Sequence, residues 1–204
     1  MIGIVGYGAG NSASVKNALN KLGIDCIISR SAEDLENVDA IILPGVGSAD
    51  ATMEALEKMG YRELLERRVR GEEKLPFLGI CVGLQILFSH SEEGDCDCLG
   101  WFKGQVRRFS GDLRVPQIGW NAVSFTEEDC PLTRGVQSGT CFYFVNSYRV
   151  IPEEEGITAG ITDYGSDFCS MIHSGNIYAA QFHIEKSGEP GLRMLSNFAA
   201  LSKK

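Results

Sequence analysis

Three residue types in this chain could together attack a carbonyl group. The stretch GICVG places Cys81 between Gly79 and Gly83, directly after an apolar run. The stretch QFHIE places His183 and Glu185 one residue apart after another apolar run. A thiol becomes a strong nucleophile when a histidine takes its proton, and a carboxylate can hold that histidine in one tautomer. The pattern therefore indicates a Cys81, His183 and Glu185 constellation for acyl transfer.

The G-x-C-x-G setting of Cys81 predicts a nucleophile elbow, a sharp turn from a strand into a helix. Flanking glycines let the chain pass through such a turn without steric conflict. Unpaired N–H groups at the start of the helix would favour a thiolate, and the N–H of Val82 would face an oxyanion. A buried structural cysteine at a strand end is the alternative interpretation.

The chain has three histidines, so the base can be sought by elimination. His90 lies about nine residues beyond Cys81, which is about 13 Å along a continuous helix and too far away. His173 precedes a turn signal, and we expect it to be a solvated hairpin residue. His183 ends an apolar run, and in an extended backbone its side chain and that of Glu185 would project to the same side. A solvated His-x-Glu pair is the alternative, which would be preferred if Cys81 were absent.

Two further glycine-rich loops follow predicted strands. In LPGVGSAD, the backbone N–H groups of Val46 and Gly47 could supply a second oxyanion donor. That loop lacks the Lys-Ser/Thr ending of a P-loop, so it is a weak phosphate site. Near the N-terminus, Gly6, Gly8 and Gly10 suggest a dinucleotide-binding turn, but their spacing differs from the G-x-G-x-x-G fingerprint.

The elements that must position these residues alternate in the first half of the chain. Apolar β-branched runs alternate with helical patterns there, which is typical of a parallel α/β sheet. We expect strands at 2–5, 26–29, 40–43 and 76–80 and helices near 12–22 and 48–70. After Gly94 short strands and turns predict a β-rich half, closed by a helix from about 188 to 202. No linker divides the chain, so residues 1–204 are predicted to form a single domain.

Composition narrows the classes of function. The 204 residues carry a formal net charge of -8, which disfavours nucleic acid and anionic membrane surfaces as partners. No apolar run approaches the roughly 20 residues of a membrane span, and no leader pattern is seen, so we expect a cytoplasmic protein. Seven cysteines, an odd number without a repeating frame, indicate reduced thiols. Cys96 and Cys98 lack a second ligand pair, so no metal and no cofactor are expected.

Five separated motifs, in order, resemble the class I (triad) glutamine amidotransferases, and within that family the glutaminase subunits that serve histidine biosynthesis. The motifs are GYGAGNSASVKNALNKLG, PGVG, GICVGLQ, the pair QIGWN and YFVNSYR, and QFHIEKSGEPGL. The resemblance spans nearly the whole chain. It implies a flavodoxin-like α/β fold in which a mostly parallel sheet is flanked by helices. It also implies that Cys81 attacks the carboxamide of glutamine and that His183 protonates the departing ammonia.

The resemblance further implies a substrate site and a partner. Gln85 and the segment of Asn146, Ser147 and Tyr148 would position the backbone of glutamine. Ammonia released into water becomes mostly ammonium, which has no lone pair for attack, so it must pass directly to a second active site. The implied partner is a (β/α)8-barrel cyclase subunit, encoded as another polypeptide and bound as a heterodimer.

The chain departs from the pattern of that family at three positions. Gly6 stands where Asp is usual, Asn146 where His is usual, and Ile184 where Pro is usual. None of these changes removes a member of the predicted triad. Three alternative functions remain open: a paralogous subunit that feeds ammonia to a sugar-amidinating enzyme, a stand-alone thiol hydrolase or peptidase, and a catalytically silent interaction subunit.

Overall fold

A mixed sheet dominates the computed structural model, which describes residues 1–8 and 11–202. Gly10, the last glycine of the N-terminal loop, lies outside the described residues. In chain order the thirteen strands of the described part are β1 (Ile2–Ile4), β2 (Cys26–Ile28), β3 (Ala40–Gly45), β4 (Phe77–Cys81), β5 (His90–Ser91), β6 (Cys96–Asp97), β7 (Gly104–Arg108), β8 (Gln117–Phe125), β9 (Thr140–Asn146), β10 (Tyr148–Pro152), β11 (Thr158–Asp163), β12 (Asp167–Ser174) and β13 (Ile177–Ala180).

Helices cover the sheet and connect its strands. The α-helices of the described residues are α1 (Ser12–Lys21), α2 (Ala49–Lys58), α3 (Tyr61–Leu65), α4 (Val82–Gln85) and α5 (Gly188–Leu201). Short 3-10 turns occupy Ala32–Leu35, Pro131–Thr133 and Ile184–Lys186, and a π-helical turn occupies Glu66–Arg70. None of these helices is long and apolar enough to cross a membrane.

The sheet has a parallel part and an antiparallel part. Strands β2, β1, β3, β4 and β13 lie side by side in that order and all pair in parallel. Every residue of β1, β3, β4 and β13 is buried, as expected for parallel strands that are covered on both faces. Beyond β13 the sheet continues through β12, β10 and β7, and β8 pairs with β9 and β11. The predicted α/β fold with a β-rich second half is confirmed.

The first predicted helix is confirmed, and the second is wrong. In α1, Val15, Ala18 and Leu19 are buried, and Gly23 follows the helix with φ +68°. The helix predicted near 48–70 is instead divided after α2, because Gly60 adopts φ +72°. The break turns the chain so that Tyr61 is fully buried, and its hydroxyl lies 2.8 Å from that of Ser29.

The C-terminal helix packs closely on the segment that carries the predicted base. Leu195, Phe198 and Ala199 of α5 are buried as predicted, whereas Leu192 is only half-buried. At Gly191 a Cβ atom would lie 1.9 Å from the carbonyl oxygen of Ile184. Only glycine therefore allows α5 to approach the turn at Ile184–Lys186 this closely.

Candidate active site

Cys81 occupies a strained turn between β4 and α4, as the sequence predicts. Its φ of 57° and ψ of -107° lie in a region that non-glycine residues rarely adopt. A Cβ atom on Gly79 would lie 2.3 Å from the carbonyl oxygen of Gly83, and one on Gly83 would lie 2.1 Å from that of Leu43. The two glycines are thus required for the elbow to pack against its neighbours.

His90 lies away from this turn, though not for the reason that the sequence suggests. The helix after Cys81 ends at Gln85, and His90 lies in β5. Its two ring nitrogens contact carboxylates, Asp95 at 3.2 Å and Asp97 at 3.1 Å. His90 does not line the cavity beside Cys81.

His173 is not the solvated residue that we expected. Its side chain is only 15% exposed, and Nδ1 lies 2.8 Å from Oε2 of Glu127. A hydrogen bond to the side chain of Cys130, the largest contribution, raises the pKa of His173; burial lowers it, a hydrogen bond to Glu127 raises it, and the resulting pKa is about 9. His173 belongs to a separate polar cluster, described below.

His183 and Glu185 contact each other across a turn rather than along a strand. Strand β13 ends at Ala180, and the 3-10 turn that begins at Ile184 brings the carboxylate back toward the ring. Nδ1 of His183 lies 2.9 Å from Oε1 of Glu185. The expectation of an extended backbone as far as Glu185 is wrong. The N–H of His183 donates to the carbonyl oxygen of Tyr143 at 2.8 Å, and the chain turns away from the sheet directly after His183.

Ile184 occupies the first position of that turn. It is fully buried, and proline is common at the first position of helical turns because the N–H there has no partner within the turn. The departure from the family pattern therefore falls at a position that accepts either residue.

A residue that sequence reasoning missed, Asn11, completes this arrangement. Its Nδ2 donates to Oε1 of Glu185 at 2.6 Å, so one carboxylate oxygen accepts bonds from both Asn11 and His183. The side chain of Glu185 is 0% exposed, and Oε2 has no partner among the described residues. Asn11 precedes α1 without capping it, which leaves its amide free for this contact. The only signal in the sequence was an asparagine at a helix start.

The electrostatic environment favours a charged imidazole at His183. Burial lowers the pKa of His183, but hydrogen bonds to the side chains of Cys81 and Glu185 outweigh this effect and raise the pKa to about 9. At neutral pH the ring is therefore imidazolium. An imidazolium at this position can give its proton to a leaving group in the cavity.

A cavity of about 310 Å³ opens beside Cys81. Nine of the ten predicted site residues line it, and Glu185, the tenth, lies behind His183. The nine are Val46, Gly47, Cys81, Val82, Gln85, Asn146, Ser147, Tyr148 and His183. Sequence reasoning missed four other lining residues, namely Glu93, Pro116, Val145 and Lys186.

Two residues that line the cavity each have a side-chain oxygen without a hydrogen-bond partner in the described part of the chain. Oε1 of Gln85 and Oδ1 of Asn146 are buried and have no partner among the described residues. Each amide nitrogen is engaged, since Gln85 and Asn146 both donate to the carbonyl of Tyr148, at 3.3 and 3.0 Å. Burial raises the pKa of Glu93, the third acceptor in the cavity.

The two predicted oxyanion loops lie side by side. Gly45 pairs with Cys81 in the register of β3 and β4, so Val46 and Gly47 follow next to the nucleophile. Val82 is the first residue of α4, and an N–H in that position has no partner within its helix. Gln181, which sequence reasoning also missed, donates from Nε2 to Sγ of Cys81 at 3.6 Å.

Comparisons with known proteins agree on one family. The sequence profile of the family described as glutamine amidotransferase class-I matches residues 4–201. The chain is 43% identical to "Imidazole glycerol phosphate synthase subunit HisH" of Dehalococcoides mccartyi, with 97% of this chain and 96% of that protein covered. It is 44% identical to the protein of the same name from Methanocaldococcus jannaschii, with 98% and 100% covered.

Solved structures show the same fold at lower identity. A crystal structure of a glutamine amidotransferase superposes with a TM-score of 0.75 at 22% identity, covering 100% of this chain and 99% of that one. The structure of PurLQS from Thermotoga maritima superposes with a TM-score of 0.73 at 19% identity, covering 97% and 96%.

Proposed function

The chain belongs to the class I glutamine amidotransferase family, and on that basis we propose that it is the glutaminase subunit of an imidazole glycerol phosphate synthase. It hydrolyses glutamine to glutamate and ammonia, and the ammonia serves histidine biosynthesis. The observation that carries this proposal is that Cys81 and a His183 held by Glu185 line one cavity.

Glutamine binds with its carboxamide at Cys81 and its α-ammonium group at the far side of the cavity. An ammonium group has three N–H donors and requires acceptors, and three residues that line the cavity carry acceptor atoms. These are Oε1 of Gln85, Oδ1 of Asn146 and the carboxylate of Glu93. Asn146 therefore offers an acceptor for binding, although it departs from the family pattern at this position.

The thiolate of Cys81 attacks the carboxamide carbon, and the negative charge moves to the carbonyl oxygen. The N–H of Val82 and N–H groups at Val46 and Gly47 stabilise this oxyanion. His183 gives its proton to the amide nitrogen, the C–N bond breaks, and ammonia leaves. A γ-glutamyl thioester remains on Cys81.

Water then completes the cycle. Neutral His183 removes a proton from water, and the resulting hydroxide attacks the thioester carbon through a second oxyanion at the same donors. The C–S bond breaks, glutamate leaves, and the pair of Cys81 thiolate and His183 imidazolium is restored. Throughout, Glu185 stabilises the charged ring, and Asn11 acts as a positioning residue for that carboxylate.

The partner is a (β/α)8-barrel cyclase subunit that consumes the ammonia. Two large apolar side chains of β8 offer it a docking face, since Ile118 is 61% exposed and Trp120 is 54% exposed. Ile118 pairs with Val145, which lines the active-site cavity, so this face adjoins the mouth of the site. An interface there would let ammonia pass without entering bulk water, where it would be protonated.

We place this single-domain subunit, residues 1–204, in the cytoplasm. All seven cysteines lie in the described part of the chain, and none is in a disulfide. Reduced cysteines in this number are typical of a reducing compartment. The reaction requires no metal or cofactor.

The test is release of ammonia from glutamine by the chain alone and with a candidate cyclase, with and without the ligand of the cyclase. We expect weak activity alone and a large rise in the liganded complex. Cys81→Ala should abolish both, whereas Cys26→Ser, at a cysteine of the edge strand β2, should leave both unchanged. High turnover without the partner would contradict the proposed role of the chain as a subunit. Activity in Cys81→Ala would contradict the proposed role of Cys81 as the nucleophile.

A further inference from the structure

A second cluster of ligating side chains lies outside the active site. Glu127 follows β8, Cys130 begins the turn at Pro131–Thr133, and His173 lies in β12. Their ligating atoms all lie within 4.8 Å of one another. None of the three lines the cavity at Cys81. We call these three residues the loop cluster.

We propose that the loop cluster binds a zinc ion through Sγ of Cys130, Nδ1 of His173 and a carboxylate oxygen of Glu127. Thiolate, imidazole and carboxylate are the three ligand types that zinc takes in proteins. Zn–N, Zn–O and Zn–S bonds in tetrahedral geometry separate ligand atoms by about 3.3–3.6 Å. The ligand atoms of the loop cluster all lie within 4.8 Å of one another, and Nδ1 and Oε2 lie 2.8 Å apart, so small side-chain movements would give this spacing.

The imidazole of His173 is oriented as zinc-binding imidazoles are. Its other nitrogen, Nε2, lies 3.1 Å from the carbonyl oxygen of Gly175, which fixes the ring with Nδ1 toward Cys130 and Glu127. Zinc-ligating histidines almost always donate their second N–H to a carbonyl or carboxylate in this way. Tyr178 stacks on the ring at 4.5 Å and 8°, which further restricts its rotation.

The surroundings of the loop cluster also suit a cation. A cavity of about 420 Å³ is lined by Glu127 and Cys130 together with two more carboxylates, Glu128 and Asp129. Its one basic lining residue is Arg134. The cavity is large enough to hold water beside Glu127 and Cys130, and the neighbouring carboxylates would offset the charge of the ion.

The three ligands differ in burial, as expected if a zinc ion connects the loop after β8 to strand β12. Cys130 is 1% exposed, the side chain of His173 is 15% exposed, and that of Glu127 is 39% exposed. Zinc enters from the Glu127 side, and the Cys130 thiol loses its proton on binding. The ion then fixes the loop after β8 to β12. Without zinc, the same residues are joined only by hydrogen bonds between His173 and the side chains of Glu127 and Cys130.

The experiment is a Co²⁺ titration of chelator-washed protein, in which a thiolate ligand gives a cobalt charge-transfer band. The titration uses the full chain carrying Cys81→Ala, because Cys81 and His183 form another thiol–imidazole pair. We expect one equivalent of Co²⁺, displaced by Zn²⁺. Zn²⁺ at about 100-fold above its Kd should raise the Tm by about 5–10 °C.

Variants assign the band to the loop cluster. Adding Cys130→Ser should abolish the band, and adding His173→Gln should weaken Co²⁺ binding by at least about 10-fold. Cys96→Ser, at a partly buried cysteine elsewhere, is the matched control and should change neither. Absence of the band in the parent, or its persistence in Cys130→Ser, would overturn the proposal. If Cys130→Ser fails to fold, unchanged Co²⁺ affinity in His173→Gln would overturn it instead.

Discussion

In the candidate active site, a single carboxylate oxygen of Glu185 contacts two side chains. Oε1 accepts bonds from His183 and from Asn11, while the whole side chain is shielded from water. A buried carboxylate holds a neighbouring imidazolium most firmly when its own position is fixed by a further donor. The amide of Asn11 is that donor, which makes it the residue most informative to change.

We expect Asn11→Ala to lower the kcat of glutamine hydrolysis while leaving KM nearly unchanged. Loss of one hydrogen bond to a charged group corresponds to about a 10-fold decrease or more in rate. The matched control is Asn17→Ala, on the exposed face of the same helix. Steady-state kinetics in the activated complex measure both variants, and an unchanged kcat in Asn11→Ala would exclude the positioning role.

The pH dependence of stability provides a second test at His183. Its pKa is raised from 6.5 to about 9 in the fold, so its contribution to stability is fully present below about 6.5 and is lost as pH rises through about 9. In Glu185→Gln, burial still lowers this pKa but one stabilising partner is gone. We therefore expect a lower pKa for His183 in Glu185→Gln than in the parent. The free energy of unfolding should also decrease less in the variant as pH rises from about 6.5 to about 9.

NMR titration of the histidine rings, together with urea unfolding at several pH values, measures both effects. Glu189→Gln, an exposed carboxylate at the start of α5, is the control and should leave the titration of His183 unchanged. An identical His183 pKa in Glu185→Gln and the parent would mean that the contact at Glu185 does not stabilise the charged ring.

Among elements, the turn between β4 and α4 was the easiest to predict from sequence, and the turn after β13 the hardest. The elbow has a local cause, since Gly79 and Gly83 are the residues that permit it. The turn at Ile184–Lys186 depends on contacts from distant strands and helices, such as the bond from His183 to Tyr143. The helix break at Gly60 has a local signal, the glycine itself, but the burial of Tyr61 that follows from it depends on distant contacts such as that with Ser29.

Gly83→Ala should destabilise the protein by about 1–3 kcal/mol or more, because the added methyl group collides with the carbonyl of Leu43. It should also lower kcat, since relief of the collision moves the elbow. Gly23→Ala is the comparison, as that glycine has positive φ but open space and should cost only about 1 kcal/mol. Urea unfolding measures the free energy of unfolding of both variants. Equal losses in the two variants would show that close packing at the elbow is unimportant.

At the scale of the whole molecule, adjacent strand ends bring the predicted triad together. The types and spacing of Cys81, His183 and Glu185 were sufficient to predict the constellation from sequence. The supporting contacts were not predictable, because Asn11 reaches Glu185 across 174 residues and no local period links such positions. The docking face on β8 was missed as well, since exposure of an apolar side chain depends on which strands pair around it.

Trp120→Ser should weaken binding of the cyclase subunit by about 10- to 100-fold, because exposed tryptophans at interfaces often contribute most of the affinity. Activity without the partner should stay the same. Ile151→Ser, at an exposed apolar residue of β10, is the control and should not affect binding. Calorimetry with the purified cyclase measures both variants, and unchanged affinity in Trp120→Ser would place the interface elsewhere.

Strand β13 lies beside β4 in the sheet but is synthesised much later, so the candidate active site forms with a delay during translation. Gln181, which contacts Cys81, follows it by 100 residues, so at about 5–20 residues per second a ribosome needs about 5–20 s to add it. During that interval the nascent chain has its nucleophile but neither the base nor the carboxylate. Glutamine hydrolysis therefore cannot begin during that interval.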